Sequence, residues 1–149
     1  MSEIKTVGVL GCGLMGAGIV EVSAKAGYKT LVREVNKTFL ARGLERIDNS
    51  MNRAVERGKL SADEKGAIAE RITGTTQVED LAACDVIIEA VSENLDIKRV
   101  VWDEVAKVKR PGTLLATNTS SIPLTKVAPQ TGDPENFLGL HFMNPVPVM

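Results

Sequence analysis

Cysteine and histidine are scarce here: Cys12, Cys84 and the single His141 are the whole set in 149 residues. Two cysteines cannot build a disulfide framework, and with one histidine they offer no zinc-ligand spacing. No metal site is expected, and both cysteines read as reduced, small core or loop residues. Excess charge of one sign is also lacking, since 18 Lys and Arg stand against 19 Asp and Glu for a formal net charge of -1. Such a chain has no general attraction for nucleic acid or for an anionic membrane, so any anionic ligand must be held locally. No run approaches the roughly 18 apolar residues of a membrane span, and the polar start Met1-Ser2-Glu3-Ile4-Lys5 lacks a signal-peptide pattern. The simplest expectation is a cytoplasmic protein. Internal repeats and low-complexity linkers are absent, and the length suits one domain.

What is present alternates between strand-like and helix-like stretches. An apolar run from Ile4 to Leu10, a helical stretch from Leu14 to Ala26 and a second run from Lys29 to Arg33 make a strand–helix–strand unit, which requires parallel strands. The first helix is rich in small residues (Gly16, Ala17, Gly18, Ala24, Ala26), so it can lie close to the sheet, nearly fully buried, and stop at Gly27. From Asn36 a longer helix puts Leu40, Leu44, Ile47, Met51 and Ala54 on one face and ends at Gly58. Ser61 and Glu64 have capping-box spacing and open a further helix with Ala67 and Ile68 inward, ahead of a short strand from Ile72 to Thr75. These two helices read as a hairpin inserted after the second strand. Asp85 to Ala90 reads as a buried strand ending near Glu89. A helix from Leu95 to Lys109 is expected to turn Ile97, Val101, Val105 and Val108 inward, and Pro111-Gly112 leads into a strand from Thr113 to Thr117. Phe137 to Leu140 completes the set.

The strongest local signal is Gly11-Cys12-Gly13-Leu14-Met15-Gly16, a G-x-G-x-x-G pattern lying between a strand and a helix. In that context the first glycine makes a tight turn, the second admits a pyrophosphate to the backbone and the third permits close helix packing. Glu34 follows Gly11 by 23 residues at the end of the second strand, where a carboxylate accepts hydrogen bonds from adenosine ribose hydroxyls and repels a 2′-phosphate. Arg33 is a complication, because a guanidinium there is what NADP-binding variants use to hold that phosphate. The balance favours NAD. The fold class is therefore α/β: a Rossmann-type, doubly wound, mostly parallel sheet, forming one dinucleotide-binding domain over residues 1–149.

Two further groups emerge at the carboxyl edge of such a sheet, where ligands bind. Asn118-Thr119-Ser120-Ser121 follows the fifth strand, and His141 follows the sixth. Histidine is the side-chain type best suited to general acid/base work near neutral pH.

With Gly11 to Gly16, Glu89 to Asn94, Asn118 to Ser121 and Leu140 to Pro145 in view, the sequence resembles the L-3-hydroxyacyl-CoA dehydrogenase family, and its 3-hydroxybutyryl-CoA dehydrogenase members in particular. The resemblance runs from Ile4 to Met149. It implies an NAD-dependent oxidoreductase of fatty acid β-oxidation or butyrate-type metabolism, interconverting (S)-3-hydroxyacyl-CoA and 3-oxoacyl-CoA by hydride transfer. His141 is implied as the base and Ser120 as the residue bonding the reacting oxygen. Gly11, Gly13, Leu14, Met15, Gly16 and Glu34 are implied to hold the dinucleotide, with Glu93, Lys98, Asn118, Ser120 and Asn144 around its nicotinamide end. Ser50 and Arg57 are implied to meet coenzyme A. Glu34 stands where aspartate is usual in the family, Ser92 where a hydrophobic residue is usual and Arg57 where lysine is usual. The family's helical second domain, through which the parent enzyme is expected to dimerise, and the glutamate that orients the histidine lie beyond Met149. The resemblance thus implies cofactor binding with little turnover by these residues alone. A non-catalytic NAD(H)-binding module and a dehydrogenase of sugar acids remain alternatives.

Overall fold

The computed structural model describes residues 3–149. Six strands, β1 (Thr6–Leu10), β2 (Lys29–Arg33), β3 (Ile72–Thr75), β4 (Val86–Glu89), β5 (Leu114–Thr117) and β6 (Phe137–Gly139), form one sheet in the order β3-β2-β1-β4-β5-β6. Every pairing is parallel, which makes the sheet wholly rather than mostly parallel. The helices are α1 (Leu14–Lys25), α2 (Lys37–Glu56), α3 (Ala62–Glu70), α4 (Leu95–Val108) and the short α5 (Leu124–Val127).

Successive residues of a strand point to opposite faces, and both faces are covered. Val9, Val32 and Ile88 pack with Ile19 and Val20 of α1, Ile47 and Met51 of α2 and Ile68 of α3. Leu10, Ile87 and Leu115 pack on the other side with Val101, Trp102 and Val105 of α4 and with Val127. The Trp102 ring meets Phe137 edge-on, with centroids 5.9 Å apart.

The Ser61–Glu64 capping signal is realised, and Asn36 caps α2 as well. Asn36 Oδ1 accepts from the Phe39 N–H at 2.9 Å, and Ser61 and Glu64 bond reciprocally at 3.0 and 2.7 Å. Asp85 accepts from the Lys5 and Thr6 N–H groups, both at 2.8 Å, joining the starts of β1 and β4. Those backbone bonds, with help from Arg110, hold the Asp85 carboxyl below the usual range.

Two inward assignments are corrected. Ala67 is exposed and Ile68 alone of α3 is buried, because neighbouring helical residues point about 100° apart and a short helix touching the core along one line has room for one of them. Ile97 is 44% exposed, while the buried face of α4 is Lys98, Val101, Trp102 and Val105. That stripe has the i, i+3, i+4, i+7 spacing, and its first position holds a lysine. Val108 is only half-buried.

Candidate functional site

Because all strands run the same way, their carboxyl ends share one edge, and the strand order reverses between β1 and β4. That reversal opens a crevice, and the glycine loop lies in it. Gly11 has φ +92, and a Cβ there would sit 2.9 Å from the Ala90 carbonyl oxygen. Its N–H donates to the Arg33 carbonyl at 2.9 Å. A Cβ on Gly16 would lie 1.9 Å from the Gly11 oxygen, so α1 is packed directly on the loop, whereas a Cβ on Gly13 would meet nothing within 4 Å. The space at Gly13, the N-cap of α1, is open, and a helix N-terminus with open space before it could admit an anion. Leu14 is exposed beside it, and Met15 is half-buried against the core.

Glu34 ties this loop to β2. Its Oε1 accepts from the Cys12 N–H at 2.7 Å and its Oε2 from the Val35 N–H at 3.1 Å. The carboxylate is therefore held by a backbone donor on each of its oxygens. Beside it a cavity of about 330 Å³ is lined by Gly13, Glu34, Val35, Val91, Ile97 and Val101 among others. Cys12 is buried under the loop, and burial, with the Glu34 charge, pushes its thiol up to about 12. Cys84 is likewise buried and pushed up to about 11, chiefly by burial. Both are inert thiols rather than nucleophiles.

At the β5–β6 end, the Ser120 Oγ lies 3.0 Å from the His141 Nε2, and both residues are exposed. Their loops are held from beneath. Asn118 is buried, and its Oδ1 accepts from the Phe142 N–H at 2.7 Å, which anchors the histidine loop. Glu93 accepts from the Thr119 hydroxyl, from the Ser121 N–H at 3.2 Å and from the Ile122 N–H at 3.4 Å, which fixes the serine turn. Burial raises the Glu93 carboxyl, but the Thr119 and Ser121 bonds and the Lys98 charge outweigh it, leaving the pKa below the usual value. A carboxylate with a lowered folded pKa stabilises its surroundings above the unfolded pKa and loses that contribution as pH falls through the folded one. The Ser120 turn is therefore expected to loosen only below the ordinary carboxylate range. Amide exchange of Ser121 and Ile122, followed from neutral to acid pH, should show protection lost there; loss near pH 6 would contradict the assignment.

Lys98 does not reach the surface. It is 1% exposed, with Nζ 2.7 Å from Oε1 of the fully buried Glu89 and 3.8 Å from Oε2 of Glu93. Glu89 also accepts from the Thr117 hydroxyl at 2.6 Å and the Val91 N–H at 2.9 Å. The sequence did not single out Glu89 and Thr117 as the partners buried with Lys98. The available signal was a lysine at an apolar-stripe position of α4. Asn144 stands exposed three residues beyond His141.

Ser50 and Arg57 come together elsewhere, in a cavity of about 340 Å³ between α1, α2 and the segment Pro145 to Val148, with Lys25, Arg53 and Lys59 around it. Sequence reasoning also missed Glu21, which is buried there. Burial raises its carboxyl, against the lowering effects of Ser50, Lys25 and Arg53. Among the described residues no group of His, Cys, Asp and Glu could hold a metal ion, and no helix is long and apolar enough to cross a membrane.

A wholly parallel sheet with a glycine loop at its order reversal, an acidic residue ending β2 and a histidine–serine pair at the same edge defines the dinucleotide-binding domain of an oxidoreductase. Residues 6–149 match the family model described as 3-hydroxyacyl-CoA dehydrogenase, NAD binding domain, and the chain belongs to that family, with NAD as its cofactor. It is 43% identical over 149 residues to the 3-hydroxyadipyl-CoA dehydrogenase of Escherichia coli, covering 100% of this chain and 31% of that protein. Against a 3-hydroxybutyryl-CoA dehydrogenase of Mycobacterium tuberculosis it is 44% identical over 147 residues, covering 98% of this chain and 51% of the relative. The crystal structure of Mycobacterium tuberculosis FadB2 superimposes with a TM-score of 0.97 at 44% identity, over 99% of this chain and 52% of that one. The chain thus spans about half the length of the 3-hydroxybutyryl-CoA dehydrogenases it matches.

Proposed function

We propose that this domain serves an oxidoreductase that interconverts (S)-3-hydroxyacyl-CoA and 3-oxoacyl-CoA. The observation that carries the reading is the 3.0 Å contact between the Ser120 Oγ and the His141 Nε2, placed at the same sheet edge as the dinucleotide crevice. In the oxidative direction His141 takes the proton of the 3-hydroxyl while the Ser120 hydroxyl bonds the same oxygen, and in the reverse direction the histidine returns that proton to the ketone. Bound NAD supplies the hydride acceptor. Glu34 holds the adenosine ribose, and the Gly13 backbone admits the pyrophosphate. Glu93, Asn118 and Asn144 border the nicotinamide end, and buried Lys98 acts there through Glu89 and Glu93. Ser50 and Arg57, in a cavity with three more cations, suit the phosphates of coenzyme A, and the CoA esters named in the relatives agree with that chemistry. Fatty acid β-oxidation or butyrate-type metabolism is the setting such a reaction fits.

Among the described residues no carboxylate bonds His141. These 149 residues by themselves are therefore expected to bind NADH well and to turn over slowly, since an unoriented histidine loses orders of magnitude in rate. The test is NADH oxidation with acetoacetyl-CoA, with NADPH as control. Slow turnover preferring NADH, and falling by about 10²–10⁴ in His141→Ala, is the expected result. NADH binding without saturable binding of acetoacetyl-CoA would instead favour a non-catalytic NAD(H)-binding module.

A further inference from the structure

Arg33 directly precedes the ribose-binding Glu34, and its residue type suits the 2′-phosphate of NADP(H). It is the one cation among the described residues lining the dinucleotide cavity. Its orientation decides what it can do. Arg33 follows Val32, which packs on the α1 side, so its side chain leaves the strand on the α4 side. There the Nη2 lies 3.0 Å from the Glu104 Oε2, with the Arg33 side chain only 12% exposed. The contact is close but poorly aligned: among the described residues neither the Arg33 Nε nor the Glu104 Oε2 has a hydrogen-bond partner of good geometry. Glu104 follows Ile97 and Val101 at helical spacing, and those two residues also line the cavity. It therefore stands on the same side of α4 but farther from the carboxyl edge, and pulls the guanidinium inward.

We infer that Glu104 is a positioning residue for cofactor choice, holding Arg33 against α4 so that no cation is free to meet a 2′-phosphate at the Glu34 corner. Preference for NAD then has two parts. Glu34 repels the phosphate directly, while Glu104 withholds the guanidinium that would otherwise compensate. The imperfect Arg33–Glu104 alignment matters, because a phosphate offering well-aligned oxygens is the stronger partner once the carboxylate is removed. The inference rests on the crevice being the dinucleotide site, and the test separates the two.

Dissociation constants for NADH and NADPH are to be measured by fluorescence titration of the whole 149-residue chain, for the wild type, Glu104→Gln, Arg33→Gln and the double variant. Glu104→Gln is expected to improve NADPH binding relative to NADH by about tenfold. The double variant should lose that gain, because the cation is gone. Glu34→Gln added to Glu104→Gln should give a larger shift than either alone. Equal movement of both constants in Glu104→Gln would mean that the pair only braces β2 against α4, and a gain that survives in the double variant would mean that Arg33 is not the agent; either overturns the inference. Failure of the wild type to bind NADH would strike at the dinucleotide site itself. Should Glu104→Gln melt below the assay temperature, Glu104→Met keeps the packing volume and carries the same expected ratio change.

Discussion

Gly16→Ala is expected to abolish NADH binding and to cost about 3 kcal/mol of stability or more, while Gly13→Ala is expected to leave the melting temperature unchanged and still weaken NADH binding on the order of tenfold or more. Both changes add a single methyl to the same loop. At Gly16 the new Cβ would stand 1.9 Å from the Gly11 oxygen and 2.8 Å from its carbonyl carbon. Neither atom can move freely, since the Gly11 N–H is bonded to Arg33 and the Cys12 N–H to Glu34. Relief must come from lifting α1 off the sheet, which opens the core around Ile19 and Val20. At Gly13 the Cβ would enter empty space, so it meets no clash in the folded state. That space matters only when the pyrophosphate fills it. Thermal melting and NADH titration of the two variants check this together. Full NADH affinity in Gly13→Ala would place the pyrophosphate elsewhere, and an unchanged melting temperature in Gly16→Ala would mean that the loop is far softer than its bonds imply.

This contrast also marks what the sequence discloses. The six strands, the long helices and the Ser61–Glu64 cap are legible because periodicity and capping are local. Glu34 and the glycine loop are legible because their spacing reflects one strand–helix–strand unit. Ser120 and His141 can be singled out in sequence, but their 3.0 Å approach depends on Asn118 bonding Phe142, 24 residues away, and on Glu93 gathering a turn 26 to 29 residues away. Such clamps join a side chain of one βα unit to the backbone or a side chain of another, so no local pattern announces them. The misplacement of Ile97 has the same origin. The first turn of α4 borders an open crevice rather than core, and the apolar side chain goes to the ligand cavity while Lys98 goes inward to a carboxylate on another element.

That inward lysine gives the other large expected effect. Lys98→Met should destabilise the domain by about 3–5 kcal/mol, because it strands Glu89, a fully buried charge, with only neutral donors. The Thr117 hydroxyl and the Val91 N–H remain, but neither offsets a whole buried charge. The pair itself need not be a net source of stability, since taking both charges out of water costs about as much as their attraction returns. Lys98→Met combined with Glu89→Leu is accordingly expected to recover part of the loss, with the coupling read from a double-mutant cycle in urea. Recovery of stability should not restore the site. Without Glu89 the Thr117 hydroxyl and the Val91 N–H lose their acceptor, and without Lys98 the Glu93 carboxylate loses the cation 3.8 Å away that helps hold it beneath the serine turn. A double variant that is stable yet weak in NADH binding would identify the buried pair as the support of the nicotinamide end. Stability and binding recovering together would reduce it to an alternative way of filling the core.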